Sequence, residues 1–233
     1  MPSLKQKMIL LFLPLTLILC LLYYQFFYHH EKPKSKIHEH GYWIASKVKH
    51  KFDRSLAREI ILFFQKEKVS TCADFGAGGY GHYVRFFKEH GIDCEGFDGN
   101  PFSLSLSHGL VEVLDLSQPI HLKKSYDWVI SIEVGEHLPP QYEKNFIENL
   151  DRHAVSGIII SWALKGQSGR GHCNCRDNDY IKKLFAAYGY INDVETEKAL
   201  RDAASFPWLK TTIMVFRKNN HSATSCNEKG TFE

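Results

Sequence analysis

Three aspartates, Asp74, Asp98 and Asp115, each close a short apolar run, and a fourth such run leads into Glu133-Val134-Gly135-Glu136-His137. An acid at the end of a buried strand is costly unless a donor meets it, so each marks a place where a ligand group could be held. Asp74 stands two residues before the first glycine of Asp74-Phe75-Gly76-Ala77-Gly78-Gly79-Tyr80-Gly81. Glycines at such a turn let the backbone come close to a ligand, and the helix that follows offers unpaired N–H groups.

The loop also reads literally as GxGxxG, so alone it does not choose between a nicotinamide dinucleotide and S-adenosylmethionine. The acids separate the two. An amino-acid ammonium satisfies Asp74, whereas a pyrophosphate there is repelled. Asp98 can accept both hydroxyls of a ribose, which fits either cofactor. Asp115 can take the exocyclic amine of adenine. Each aspartate taken singly also reads as an ordinary solvated loop acid; three at successive strand ends form a pattern.

If the turn after the fourth run is helical, Glu133, Glu136 and His137 share one face at i, i+3 and i+4. Two carboxylates and an imidazole then sit at the edge where open α/β sheets bind ligands. His137 or Glu136 is the candidate base for deprotonating a nucleophile. The alternatives are a structural role at a helix start, or a divalent cation held by Glu133, Glu136, His137 and His172. The glycine-rich stretch from Lys165 to Asn174 opens on the same edge, and Trp43, His50 and Phe52 precede the first helix.

Alternating strand and helix patterns must position these groups, and they predict a parallel sheet with helices on both faces. Helices are expected over 52–67, 80–90, 140–150 and 177–188. Strands are expected over 69–75, 93–97, 110–114, 126–132 and 157–162, with a closing pair over 190–197 and 211–218 joined by a loop containing Pro207.

The size of 233 residues allows one such domain with short appendages, and 44% apolar with 24% charged residues is ordinary for a chain with a real core. A net charge of +3 names no partner, and no basic, aromatic-laced patch marks a nucleic-acid groove. Six cysteines include no CxxC pair; Cys72 and Cys94 read as small core residues, and Cys173 and Cys175 as loop thiols. Residues 8–28 carry no charge, about the length that crosses a hydrocarbon core of roughly 30 Å, and end in an aromatic edge, so a single-pass membrane anchor is expected. Lysines flank it on both sides and leave its orientation open. Asn220-His221-Ser222 is a glycosylation sequon, usable only from a lumenal face.

The ordered segments ADFGAGGYG, GFDGN, LDLS and YDWVISIEVGEHLP closely resemble the motifs of class I S-adenosylmethionine-dependent methyltransferases. The resemblance runs over about 43–218. It implies a Rossmann-like, seven-stranded, mostly parallel sheet with helices on both faces and a carboxyl-terminal antiparallel strand. It places the methionine part of the cofactor at Asp74, Gly76, Ala77 and Gly78, the ribose at Asp98 and Gly99, and adenine at Asp115 and Leu116, with Glu133 also on the cofactor side. Tyr80 stands where the family often has a third glycine. The ExxEH pattern resembles both a metal-binding motif of small-RNA 2'-O-methyltransferases and the EVxEH of small-molecule O-methyltransferases; a site without metal is the expectation, with the cation as the alternative.

The expected organisation is a tail over 1–7, an anchor over 8–28, a linker over 29–42, the catalytic domain over 43–218 and a tail over 219–233. The expected activity is methyl transfer to an oxygen or nitrogen of a small-molecule or macromolecular acceptor that no motif names; oligomeric state is equally unnamed. The rivals are a nicotinamide-dependent oxidoreductase and a non-catalytic, membrane-tethered binding module of the same fold.

Overall fold

The computed structural model describes residues 36–47 and 50–219, together with Leu17, Cys20 and Tyr23. The chain divides into two compact units, Met1–Lys34 and Ser35–Glu233. In the first, Leu17, Cys20 and Tyr23 are helical and exposed; the rest of the expected anchor over 8–28 lies outside the described residues, as do residues 1–7 and 220–233 with the sequon at Asn220. No helix among the described residues is long and apolar enough to cross a membrane.

The second unit opens with a small hairpin, β1 (Lys36–Ile37) and β2 (Trp43–Ile44). Residues 36–42, expected as linker, are therefore part of the folded unit. Helix α1 (Arg54–Lys66) follows, capped by Asp53, whose side chain accepts from Leu56 N. Then come β3 (Thr71–Phe75), α2 (His82–Glu89), β4 (Asp93–Asp98), the short α3 (Ser103–Leu106), β5 (Val111–Val113) and β6 (Tyr126–Ser131). A 3-10 turn at Pro140–Tyr142 leads into α4 (Glu143–His153), followed by β7 (Ala154–Ser161), α5 (Asn178–Ala187), β8 (Tyr190–Asn192), α6 (Val194–Ala203), α7 (Leu209–Thr212) and β9 (Ile213–Lys218).

The seven-stranded sheet has the order β5-β4-β3-β6-β7-β9-β8, with β9 antiparallel to both neighbours and the remaining pairs parallel. The Rossmann-like arrangement expected from the alternating pattern is the observed one. Successive side chains point to opposite faces: Cys72, Trp128 and Ile130 pack under α1 and α2, while Ala73, Phe75 and Val129 pack under α4 and α5. Each fully buried Phe, Ile or Leu in these layers stabilises the fold by roughly 1.5–3 kcal/mol. Cys72 and Cys94 are buried neighbours in register across β3 and β4, as their core reading requires.

The closing region differs from expectation. The strand over 190–197 stops at Asn192, because the Asp193 side chain accepts from Thr196 N at 3.0 Å and starts a helix there. That helix, α6, occupies what was read as strand and loop. Likewise α2 begins at His82, two residues later than expected, because Gly81 sits at φ +60° immediately before it.

Candidate active site

The carboxyl ends of β3, β4, β6 and β7 meet the amino-terminal end of β9 along one edge of the sheet, and a cavity of about 630 Å³ opens there. Such a volume lies in the range that encloses a drug-sized ligand. Over the β3–β4 half it is lined by Asp74, Gly76, Ala77, Gly78, Asp98, Gly99 and Leu116; over the other half by Glu133, His137 and His172.

The loop after β3 bends because Gly76 takes φ +97°, and a Cβ there would lie 2.2 Å from Val134. Only glycine fits. The turn is tied to β4, since Gly76 N and Ala77 N donate to Phe97 O, and Gly78 N donates to Asp98 Oδ2 at 2.9 Å. Asp98 also accepts from Asn100 N at 2.8 Å. Burial holds its carboxyl above the usual range, against the lowering effect of those donors. Asp74 is 2% exposed, and its Oδ2 has no hydrogen-bond partner. Burial, and then the charge of Asp98, push its carboxyl up to about 8.

The amino-terminal strap covers this half. Tyr42 lies against Gly99, where a Cβ would come within 2.4 Å of its ring, and stacks on His38 with centroids 4.4 Å apart. Asn100 Nδ2 donates to Ala45 O at 2.9 Å. His40 Nδ1 lies 2.6 Å from Asp115 Oδ2, and Asp115 Oδ1 accepts from Ser117 N. Asp115 is therefore engaged by the strap and does not line the cavity; its neighbour Leu116 does. The His50 ring packs over Gly78, and burial lowers its pKa while Asp98 opposes the shift.

The stretch after β6 is a set of turns, not a helix. Glu133 takes φ +60°, a left-handed conformation that costs a non-glycine residue about 1–2 kcal/mol. Ser161 holds it there: its hydroxyl accepts from Glu133 N at 2.7 Å and donates to Glu133 Oε1 at 2.8 Å. Candidate ligand atoms of Glu136, His137 and His172 all lie within 4.8 Å of one another. Glu136 is fully buried, and neither of its oxygens has a hydrogen-bond partner. Burial, then Glu133, push its carboxyl up to about 8. Burial lowers His137 to about 4, with His172 adding to the effect, and His137 Nδ1 is buried without a partner.

His172 reaches this cluster because its loop is pinned. Cys173 N and Asn174 N both donate to Glu136 O, Trp162 Nε1 donates to Asn174 O, and Glu143 binds Asn174, Arg176 and Tyr180. His172 Nδ1 lies 3.1 Å from Gln167 O, which fixes that side of the ring and leaves Nε2 for another partner.

No family model matches the chain. A curated norajmaline N-methyltransferase from Rauvolfia serpentina is 26% identical over 116 residues; the matched stretch is 44% of this chain and 39% of that enzyme. Among solved structures, SAM-bound CalS10, an amino pentose methyltransferase from Micromonospora echinaspora, aligns with a TM-score of 0.56 at 14% identity, over 70% of this chain and 90% of that one. Magnesium protoporphyrin IX methyltransferase from Synechocystis PCC 6803 with bound SAH aligns at 0.52 and 17% identity, over 70% and 82%. A methyltransferase from Clostridium acetobutylicum aligns at 0.56 and 9% identity, over 72% and 93%.

The fold is that of S-adenosylmethionine-dependent methyltransferases. On this fold the sheet edge brings Asp74, Gly76, Ala77, Gly78, Asp98, Gly99, Leu116 and Glu133 to one cavity. Two expected site residues, Asp115 and Glu136, do not line it. Of the two candidate bases, only His137 does.

Sequence reasoning passed over Tyr42, Lys51, Phe206 and Trp208, which also line the cavity. The histidine and aromatic density of His38-Glu39-His40-Gly41-Tyr42-Trp43 was a signal for the strap. Nothing local marked Phe206 and Trp208, which arrive from the stretch before the last strand.

Proposed function

We propose that the chain binds S-adenosylmethionine over β3 and β4 and transfers its methyl group to an oxygen or nitrogen nucleophile seated over β6, β7 and β9. Asp74 carries this reading. A buried carboxylate with an unpartnered oxygen is expensive, by about 1–3 kcal/mol or more, and the ammonium of an amino-acid-bearing ligand removes that cost. A nicotinamide dinucleotide would bring phosphates to the same glycine turn, where they offer Asp74 no cationic partner and repel its ionised form. The names of the similar proteins support the same choice.

Transfer breaks the sulfonium C–S bond as the C–O or C–N bond forms, and the electron pair of the broken bond returns to sulfur. The chain's part is to align donor and acceptor and to take the acceptor's proton. His137 is placed to act as proton acceptor because it lines the cavity, although burial lowers its basicity.

Alternatively, Glu136, His137 and His172 fit a divalent cation, with His137 then a ligand and not the proton acceptor, because the fully buried Glu136 has two oxygens without a hydrogen-bond partner. A carboxylate with two imidazoles suits Mn, Fe, Co or Zn better than Mg or Ca. A cation held there would supply Lewis acidity toward an acceptor hydroxyl. Glu133 stays with Ser161 in this arrangement. The uncharged run over 8–28 leads us to include a membrane tether in the reading, tested by whether the full chain resists alkaline extraction from membranes.

Calorimetric titration of the full chain with S-adenosylmethionine and S-adenosylhomocysteine is the test. Saturable binding of both is expected, and the absence of heat from both overturns the reading.

A further inference from the structure

Above β9 and beside the methyl-transfer half of the cavity, Phe206 and Trp208 lie ring on ring, with centroids 4.9 Å apart and planes 13° from parallel. Both line the cavity and neither is fully buried. Their position is built rather than incidental. Asp53, fully buried, accepts from Ser205 N at 2.7 Å and Phe206 N at 3.0 Å while capping α1 through Leu56 N. One carboxylate thus ties the aromatic shelf to the start of a helix across 153 residues of sequence.

Two residues before Asp53, Lys51 holds its ammonium 4.6 Å from the Trp208 ring centroid and 5.7 Å from that of Phe206. It makes no ion pair among the described residues. A second pair lining the cavity repeats the theme: the Arg170 guanidinium lies 4.8 Å from the Trp43 ring, which meets His137 in a T-shaped contact with centroids 6.3 Å apart.

We infer that the methyl acceptor is a flat, apolar-bodied molecule bearing a carboxylate-like anionic group, its apolar body against the Phe206–Trp208 pair and its anion at Lys51. An aromatic wall alone would equally suit a cationic ligand, since ring faces attract cations. Here the cations that occupy those faces belong to the protein. A cationic acceptor meets Lys51 and Arg170 as like charges, and an anionic one meets an unpaired ammonium. Of the acids of the cavity, Asp74 and Asp98 lie over the β3–β4 half, and Glu133 turns one oxygen to the Ser161 hydroxyl. The inference rests on the methyl-transfer reading for the occupant's role as acceptor, and a binding test separates the two.

Three planar probes of one shape, naphthalene-2-carboxylate, naphthalene-2-carboxamide and 2-naphthylmethylammonium, are titrated by calorimetry into the full chain with and without saturating S-adenosylhomocysteine. The carboxylate is expected to bind at least tenfold tighter than the amide, with the ammonium weakest. Lys51→Met should bring carboxylate and amide within about threefold of each other while leaving S-adenosylhomocysteine affinity unchanged. Phe206→Ala should weaken all three probes together. A carboxylate that binds no tighter than the amide, or that shows no saturable binding at millimolar concentration, overturns the inference. So does a preference that survives Lys51→Met. If S-adenosylhomocysteine itself fails to bind, the methyl-transfer reading falls, and the probe ranking without it still decides the shelf.

Discussion

His40 Nδ1 meets Asp115 Oδ2 at 2.6 Å across 75 residues of chain, and this contact closes the amino-terminal strap over the β4–β5 side of the cavity. Both side chains are about one-quarter exposed, so solvent screens the pair and its worth is modest. Its consequence is geometric, because the strap also carries Tyr42 onto Gly99. Asp115→Asn or His40→Ala should speed hydrogen exchange at residues 36–45 and weaken S-adenosylhomocysteine binding by about threefold or more, on the order of 0.7 kcal/mol. Unchanged exchange in both variants would show that the strap is held by its other contacts.

Asp74 sets a pH dependence whose sign follows from its shift. Its folded-state carboxyl is pushed up to about 8, whereas an unfolded aspartate titrates near ~3.9. Between these values the folded chain keeps a proton that the unfolded chain has released, so the unliganded protein loses stability as pH rises through that window. Asp74→Asn removes the dependence. The variant should melt above the wild type at pH 8 by about 2 °C or more, with a smaller gain at pH 5, and should bind S-adenosylhomocysteine at least tenfold more weakly. Equal melting temperatures at both pH values with intact binding would contradict the assignment.

Binding should also release a proton. At pH 6.5 the empty site holds Asp74 neutral, and an ammonium ligand requires the carboxylate. Calorimetry in two buffers of different ionisation enthalpy should report net proton release on S-adenosylhomocysteine binding, declining above pH 8. A buffer-independent heat at pH 6.5 would remove Asp74 from the ammonium site.

Gly76→Ala tests the turn itself. The added Cβ meets Val134 at 2.2 Å in a conformation with φ +97°, and such strain costs about 1–3 kcal/mol. A fall in melting temperature of about 4 °C or more and a loss of S-adenosylhomocysteine binding are expected. Wild-type melting and affinity would mean that the loop takes another path.

For the carboxylate and imidazole cluster, the measurement is metal content. After incubation with Mn or Zn and desalting, the wild type should retain about one equivalent, and His172→Ala or Glu136→Gln should each lower affinity about tenfold or more. Glu136→Gln should also raise the stability of the metal-free chain relative to wild type as pH rises to about 8, where the buried carboxyl ionises. Retention of metal by both variants would exclude these residues as ligands.

Much of the fold could be read along the chain, for a local reason. Apolar runs of strand length alternating with helical spacing leave few topologies for a chain of this size, so the parallel sheet follows from periodicity and the tight turn after β3 from Gly76, Gly78 and Gly81. The error at 190–197 was also local: Asp193 starts a helix in a stretch whose composition suits either state. Asp74 and Asp98 were readable because a carboxylate ending a buried strand is unusual wherever it occurs.

The remaining features depend on contacts between segments far apart in sequence. That Asp115 contacts His40, and that Glu136 is fully buried behind the cavity wall, is not written in the residues around either one. His172 joins the cluster because Glu136 O, Trp162 and Glu143 pin its loop, and the Phe206–Trp208 shelf exists because Asp53 reaches across 153 residues to hold it. Strand periodicity and turn chemistry act over a few residues and are written in neighbouring letters. Which acid is orphaned, which is paired and which reaches the cavity depends on burial and long-range partners, and those exist only once the chain has folded.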